Sequence, residues 1–538
     1  MTTGTGVPAG EPAASAPPAK ATDGVDLVED GERTEGGERT AGSGRAARGT
    51  ALNLAGSLLG TVLGFLTVGL VTNHWGPDGA GLFFAATALF TLAANGSRMG
   101  SEAGLTTFVA RLRAADDHRS VPTVVVAGLT TTGAAATAVG LAGLVFAPEL
   151  ATLIADGDAA IDDATTMLRI LALAVPLFAL SQAMFGASRG FATMRPSVLA
   201  GHVVRPASQL LAVATVIVAV DALPALAGAW AVSSALTLAV IAAWLGQRVI
   251  GVRRRHPGPG DPTAVGAYRR FAAGRAGADL VSAALERLDV ILVAALLGQT
   301  GAGLYGAAGR LILAGQLLMI ATAQSTAPLL SASFAAGRDD EARSLLQITT
   351  GWNVTLLWPL FIGLGFGAPT ALAAFGPEFA DGAPLVVVLS VAMLAIVAIG
   401  GGDTLLTSTG DSLASLLNHV VALAVLLSAA VILLPWVGLV GAALAWALSR
   451  LTLRVLAAAR VWRTRGVHAI GRPLALAAGA ATVAWVPTGA ATLALLGDGV
   501  PALAVHAAIG GLLHLAILVR LRRDLELDRF VAVVTRRR

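Results

Sequence analysis

The feature that most constrains this chain is a succession of about fourteen apolar stretches, each long enough to cross a lipid bilayer as a helix. The hydrocarbon core of a bilayer is about 30 Å thick, and a helix needs roughly 20 apolar residues to span it. Because backbone groups find no water there, only helices and closed barrels can cross. With 55% hydrophobic and 13% charged residues, the sequence predicts an all-α polytopic membrane protein.

Arginines collect in alternate connections between these stretches. The predicted spans cover residues 50–72, 80–99, 121–147, 164–189, 197–220, 224–248, 270–298, 301–333, 346–368, 383–407, 411–434, 438–462, 472–495 and 500–520. Arginine and lysine are absent from the connections 73–79, 148–163, 221–223, 299–300, 369–382, 435–437 and 496–499. We call the two ends of the bundle the arginine-rich end and the arginine-free end. Cytoplasmic loops retain basic residues, so we expect a bacterial plasma membrane protein with both termini in the cytoplasm.

An internal repeat suggests two similar halves. GPDGAGLFFAATAL begins at Gly76 and GQTGAGLYGAAGRL begins at Gly298, and both sequences enter the second span of a group of six. An even number of spans between them gives both halves the same orientation, which is an architecture of transporters. The sequence therefore predicts two parallel six-helix lobes followed by two further helices.

The predicted organisation has six parts. They are a disordered cytoplasmic tail (1–45), an N-lobe (46–250), a cytoplasmic linker (251–269), a C-lobe (270–463), the last two spans (464–520) and a basic cytoplasmic tail (521–538). The chain contains no cysteine, which excludes disulfides and thiolate metal sites. It also lacks a phosphate-binding GxxxxGK[ST] loop, and its outer connections are short. We therefore expect no enzymatic activity and no cofactor.

The seventh predicted span carries the densest group of charges. Arg275, Asp279, Glu286 and Asp289 follow helical spacing and share one face, which cannot point to lipid. Two interpretations remain open: a hydrated cleft that binds substrate, or a ladder of ion pairs that joins this span to Arg310. We assign Arg275, Asp279 and Glu286 to a substrate cavity.

A second set of charged residues suits a structural or coupling role. It comprises Arg287, Asp289 and Arg310, together with Asp403, which follows three glycines and either caps a helix or binds a coupling cation. Arg450 and Arg454 are expected to extend toward the cytoplasmic surface.

The first half contributes two basic candidates. Arg205 lies within the fifth span beside Pro206, and Arg98 ends the second span four residues before Glu102. Because no carboxylate lies deep in these spans, Arg205 predicts an anion, and the guanidinium fork suits a diphosphate. Pairing with an acid of the seventh span, or extension to the surface, are the alternatives for Arg205.

Short motifs resemble a known superfamily. The run Arg287-Leu288-Asp289, followed by Gly303-Leu304-Tyr305-Gly306-Ala307, resembles the signature of polysaccharide-exporting flippases of the MOP (multidrug/oligosaccharidyl-lipid/polysaccharide) superfamily. Asn53, Gly76 and Gly81-Leu82-Phe83 resemble the N-terminal pattern of O-antigen flippases, which adds Asn53 to the cavity residues.

This resemblance implies a MATE-like fold and alternating access. A polyprenyl-diphosphate-linked oligosaccharide would pass from the cytoplasmic to the outer leaflet for surface polysaccharide biosynthesis. The implied partners are the lipid-linked glycan, membrane lipids and glycan polymerase or glycosyltransferase machinery, with the protein acting as a monomer and without nucleic acid. A cation-coupled multidrug antiporter of the same fold and a non-transporting scaffold of a cell-wall synthesis complex are the alternatives. The first span has no arginine after Arg48, unlike peptidoglycan-precursor flippases of the superfamily.

Removal of residues 1–45 is expected to leave transport intact, because this segment has no apolar run to pack against the membrane domain. Transport by the truncated and full-length proteins, compared at equal membrane abundance, checks this expectation. A loss of activity on truncation would contradict it.

Overall fold

The computed structural model describes residues 29–401, 405–406, 409 and 411–525, with side chains from Ala55 onward except at 314, 317, 321, 324, 325 and 412. The chain divides into Met1–Ala51 and a compact unit, Leu52–Arg538. In the first, the described residues are helical from Glu29, inside the segment predicted to be a disordered tail. The sequence there places acidic and basic residues four apart, which favours helix formation. Residues 1–28 lie outside the described residues.

The described chain is built from helices, without a strand. In order they are α1 (Glu29–Gly96), α2 (Ser101–Ala114), α3 (Ser120–Val145), α4 (Ala147–Ala151), α5 (Asp158–Gly190), α6 (Arg195–Val198), α7 (Arg205–Ala219), α8 (Ala225–Arg255), α9 (Pro262–Ala335), α10 (Asp339–Phe366), α11 (Ala368–Ala373), α12 (Ala383–Ile399), α13 (Ser412–Val437), α14 (Leu439–Arg465), α15 (Arg472–Leu496) and α16 (Val500–Leu521). A π-helical turn, Leu199–Val204, joins α6 to α7, and a 3₁₀ helix, Pro377–Gly382, precedes α12.

Eleven helical segments of the described chain are long and apolar enough to cross a membrane. The prediction of an all-α, multi-pass membrane protein is therefore confirmed. Each predicted span overlaps a helix, although the first two share α1 and the seventh and eighth share α9. The number of crossings, fourteen, stays a prediction.

The two long helices each change direction at one glycine of the internal repeat. Gly76 in α1 has φ 61° and ψ −169°, and Gly298 in α9 has φ 76° and ψ 176°. Glycine adopts positive φ without the steric cost that a Cβ imposes. The helix is therefore interrupted at the same position of both copies of the repeat, with nearly the same backbone conformation.

The start of α9 packs against the N-lobe. Tyr268 is fully buried among residues of α2 and α3, and a Cβ on either Gly104 or Gly128 would lie 2.8 Å from an atom of its side chain. The segment predicted as a linker, 251–269, is thus largely helical, because α8 runs to Arg255 and α9 begins at Pro262. Asp261 precedes the first turn of α9, where its carboxylate accepts hydrogen bonds from the Thr263 hydroxyl and, at 2.8 Å, from the Thr263 amide. These two hydrogen bonds lower the pKa of the Asp261 carboxyl group.

The last two long helices lie against the C-lobe. α15 contacts α10 closely, because a Cβ on Gly351 of α10 would lie 3.0 Å from Cβ of Pro473 in α15. α16 also contacts α10, through a 3.0 Å hydrogen bond between Nε2 of His514 and the carbonyl oxygen of Thr355. These contacts make α15 and α16 an extension of the C-lobe, on the side where α10 lies.

Replacement of Gly186 by alanine is expected to destabilise the N-lobe. A Cβ at this position in α5 would lie 2.2 Å from the Glu102 carbonyl oxygen in α2, so the helices would have to separate. Overpacking of this kind costs about 1–3 kcal/mol. A lower melting temperature of the detergent-solubilised protein would show this.

Gly246 in α8 provides the matched control, because a Cβ there has no atom within 4 Å. Gly246→Ala should leave the melting temperature unchanged or raise it slightly, since alanine favours a helix by about 0.5–1 kcal/mol. Equal melting temperatures for the two variants would contradict the proposed packing.

Candidate functional site

A cavity of about 610 Å³ lies among the helices of the C-lobe, and α1 of the N-lobe forms part of its wall. Most of its lining comes from α9, α10, α12 and α14, and the N-lobe contributes Phe84, Thr87 and Ala88. Leu346 and Gly400, which are close to the arginine-rich end, also line it. The cavity therefore lies along the boundary of the two lobes and extends toward the arginine-rich end.

The charged side chains of this cavity are mainly basic. Four arginines and two carboxylates line it, namely Arg287, Arg310, Arg450, Arg454, Glu286 and Asp289. The uncharged polar groups Gln316 and Asn353 face it as well. A cavity with more cationic than anionic groups within a membrane domain favours an anionic ligand.

The hydrogen bonds that the cavity carboxylate Asp289 accepts come from groups other than the cavity arginines. Asp289 accepts hydrogen bonds from the Tyr305 hydroxyl at 3.0 Å and from the Val290 amide at 2.9 Å. Among the described side chains, no carboxylate oxygen lies within 4.0 Å of a nitrogen of Arg287 or Arg310. The ion pairs that one interpretation predicted between Arg310 and the acids of α9 are therefore not formed in the described structure.

Two of the cavity arginines have unusual surroundings. The Nε of Arg287 is buried and has no hydrogen-bond partner among the described groups, and its charge lies close enough to Arg310 for the two to repel. Arg450 donates from Nη2 to the Leu285 carbonyl oxygen at 3.1 Å, with its Cζ 5.8 Å from the centre of the Trp446 ring. Such a group of like charges is most stable when an anion lies among them.

A second group of charges lies near the arginine-rich end of the N-lobe. Glu102 of α2 accepts from Arg98 Nη1 and, at 2.5 Å, from Arg189 Nη2. Asp279 of α9 lies 3.7 Å from Arg275 Nε and within electrostatic range of Arg98. Arg98, Arg275 and Asp279 thus lie close enough to interact electrostatically, apart from the residues that line the cavity, although each ion pair of this group forms within one lobe. The predicted polar face of α9 is divided between these two groups.

Arg205 is enclosed by aromatic rings rather than by the cavity. Its Cζ lies 4.5 Å from the ring centre of Phe178 and 5.7 Å from that of Phe185, and Nη2 donates to Ser181 Oγ at 2.9 Å. Its Nε is buried without a partner among the described groups. Cation–π contacts offset part of the cost of burying this charge. The binding of an anion by Arg205 stays a prediction.

Some predicted residues lie outside the description, and others were not anticipated. The side chain of Asn53 and the whole of Asp403 are outside the described residues. Arg450 and Arg454, which were expected to extend to the surface, line the cavity instead. Their spacing of one helical turn signals a shared face, but only the neighbouring helices determine where that face points.

Within the described chain, no cluster of three or more His, Asp or Glu residues could hold a metal ion.

Replacement of Glu102 by glutamine is expected to destabilise the fold, because Arg98 and Arg189 would lose their shared anion. These side chains are only 18% and 33% exposed, so the cost should fall between that of exposed and fully buried pairs, about 1–3 kcal/mol. The melting temperature in detergent measures this change.

Glu341→Gln is the matched control, because Glu341 in the first turn of α10 is 54% exposed and pairs with Arg338, the residue just before that helix. An exposed pair contributes less than about 1 kcal/mol. If the control lowered the melting temperature as much as Glu102→Gln, the bridging role of Glu102 would be wrong.

The solved structures that this chain resembles are membrane transporters. A lipid II flippase, MurJ, in an inward closed conformation superposes with a TM-score of 0.69 at 12% identity, over 88% of this chain and 99% of that one. An inward-facing multidrug resistance MATE family transporter of the MOP superfamily gives 0.62 at 14% identity, over 76% and 96%. A MOP superfamily transporter from Pyrococcus furiosus gives 0.55 at 15% identity, over 77% and 93%. These likenesses confirm the MATE-like fold.

Sequence comparison gives two further matches, one to a single relative and one to a protein family. Stage V sporulation protein B of Bacillus subtilis (strain 168) is 28% identical over 151 residues, a region that spans 28% of this chain and 28% of that relative. The sequence pattern of the family described as polysaccharide biosynthesis protein matches residues 46–334, more than half of the chain. The chain therefore belongs to the polysaccharide biosynthesis protein family, and it has the fold of MOP superfamily transporters.

Proposed function

We propose that this protein moves a polyprenyl-diphosphate-linked oligosaccharide from the cytoplasmic to the outer leaflet by alternating access. The observation that carries the proposal is the excess of arginine over carboxylate in a membrane-embedded cavity. Diphosphate oxygens match the geometry of a guanidinium, which donates two parallel hydrogen bonds. The family to which the chain belongs, described by polysaccharide biosynthesis, supports a glycan as the rest of the cargo.

The phosphate contacts would come from the C-lobe. Arg287 and Arg310 form no ion pair with a carboxylate in the described structure. Arg450 donates a hydrogen bond to the Leu285 carbonyl oxygen and makes a cation–π contact with Trp446. An anion among them would offset their mutual repulsion, whereas a cationic drug would add to it. This charge balance supports a phosphate-bearing cargo over the cations that a multidrug antiporter would carry.

The placement of the cavity suits loading from the cytoplasm. Its lining reaches Leu346 and Gly400 near the arginine-rich end, which the distribution of basic residues assigns to the cytoplasmic face. A volume of about 610 Å³ is in the range of pockets that enclose small-molecule ligands, enough for a phosphate head and part of a glycan. The polyprenyl chain would remain in the lipid. We further propose that the protein resides in the bacterial plasma membrane with both termini in the cytoplasm.

The energy for transport need not come from a bound nucleotide. The membrane potential contributes about 2.3 kcal/mol per elementary charge per 100 mV, so movement of one charged group across part of the membrane would bias the cycle. The charged groups of the cavity and of the cluster around Glu102 are the candidates for such movement.

Purified protein in liposomes should accelerate the flipping of a fluorescent polyprenyl-diphosphate-linked oligosaccharide, measured by chemical quenching of the fluorophore in the outer leaflet. Arg287→Gln and Arg310→Gln should each slow this rate about 10- to 100-fold, because a charge-assisted hydrogen bond contributes about 1.5–3 kcal/mol. Lysine at either position should give an intermediate rate, since it keeps the charge and loses the fork.

Arg253→Gln at the exposed end of α8 is the control and should flip at the unmodified rate. A wild-type protein that flips no lipid-linked oligosaccharide would overturn the proposed function. Normal rates in both cavity variants would instead overturn the phosphate site.

A further inference from the structure

The two halves of the repeat meet at the arginine-free end around a local two-fold axis. Gly76 and Gly298 are separated by 222 positions, and so are Asp78 and Thr300. The Thr300 hydroxyl donates a hydrogen bond to Asp78 Oδ1, so these two counterparts contact each other directly. Two equivalent residues can touch in this way only where the axis passes between them.

The neighbouring contacts are reciprocal about the same axis. A Cβ on Gly81 would lie 1.7 Å from the Gln299 carbonyl oxygen, and a Cβ on its counterpart Gly303 would lie 2.1 Å from the Pro77 carbonyl oxygen. Gln299 is itself the counterpart of Pro77. The two helix starts therefore meet backbone to backbone, which no larger residue would permit.

Each lobe also places an acidic residue next to the repeat glycine, Gly76 or Gly298, of the opposite lobe. A Cβ on Gly76 would lie 3.2 Å from Glu378 Oε2, and one on Gly298 would lie 2.5 Å from Asp156 Oδ2. Asp156 and Glu378 are again 222 positions apart. Each carboxylate thus faces the N-terminus of a helix from the opposite lobe, where unpaired amides and the helix dipole favour a negative charge.

We propose that this reciprocal contact is the outer gate of the transport cycle, and that Asp156 and Glu378 are the residues that hold it closed. Separation of the lobes at this end requires the Asp78–Thr300 hydrogen bond to break and both carboxylates to leave the helix starts. The contacts of Asp156 and Glu378 with the two helix N-termini are weak, so they favour the closed state of the gate but still allow it to open. The proposal rests on the alternating-access part of the proposed function and is independent of the cargo.

The natural chain has no cysteine, so single introduced thiols report directly on access. Ala88→Cys places a thiol in the cavity wall, and a membrane-impermeant maleimide added to intact cells probes it from the outer face. In this background, Asp156→Asn combined with Glu378→Gln should raise the labelling rate between about 3- and 30-fold, the combined effect of two helix-dipole interactions. Glu149→Gln with Asp162→Asn removes two exposed charges at the same end and should leave the rate unchanged.

A disulfide provides an independent test that does not depend on removal of the acids. Oxidation of Asp78→Cys with Thr300→Cys, in the Ala88→Cys background, should abolish labelling from outside. After reduction, labelling should exceed that of the same pair without Ala88→Cys, which corrects for the two thiols that the disulfide releases. Labelling that persists after complete cross-linking, or an unchanged rate in the Asp156→Asn and Glu378→Gln variant, would overturn the gate. Because labelling needs no substrate, a protein that passes both tests but flips no lipid-linked oligosaccharide would keep the gate and lose only the proposed cargo.

Discussion

The cost of placing charge in a low-dielectric membrane governs this structure. The spans supply apolar surface, so each ionisable group within them must find an opposite charge, a ring, a backbone oxygen or water. Near the arginine-rich end, Glu102 forms ion pairs with both Arg98 and Arg189. In the cavity, four arginines and two carboxylates line the described wall, and Arg287 and Arg310 form no ion pair with a described carboxylate. The proposed function follows from that difference.

The internal repeat places two equivalent helix starts against each other. They meet about a local axis at the arginine-free end, where the contacts are made by glycines, one hydrogen bond and two acids. Small residues allow close approach of helices without a large hydrophobic interface between them. The start of α9 is buried in the N-lobe through Tyr268, while its later residues line the cavity of the C-lobe. In the proposed transport cycle, this helix would connect the N-lobe to the cavity wall.

Much of the architecture could be predicted from the sequence, because the length and composition of a span depend mainly on the bilayer. The turns at Gly76 and Gly298 could be predicted from the repeat, and the Arg98–Glu102 and Arg275–Asp279 pairs from a spacing of four residues. These are local properties that the packing of other helices does not alter.

The placement of isolated arginines could not be predicted in the same way. Arg205 is surrounded by two rings of α5, and Arg450 lies above Trp446 in the cavity rather than at the surface. The contacts of Arg205 come from rings of another helix and leave no fixed spacing in the sequence. Arg450 and Trp446 are four residues apart on one helix, but only the neighbouring helices determine that this face meets the cavity. The division of the α9 charges into two groups likewise depends on which lobe each part of that helix contacts, and sequence spacing holds no information about this.

The central claim is that the two lobes open alternately at opposite ends, and paired spin labels test it most directly. In the cysteine-free chain, Asp162→Cys with Asp381→Cys reports on the arginine-free end, and Ala114→Cys with Ala335→Cys reports on the arginine-rich end. Addition of a polyprenyl-diphosphate-linked oligosaccharide in liposomes should lengthen the first distance and shorten the second, as measured by double electron–electron resonance. Two distances that stay fixed, or that lengthen together, would contradict alternating access.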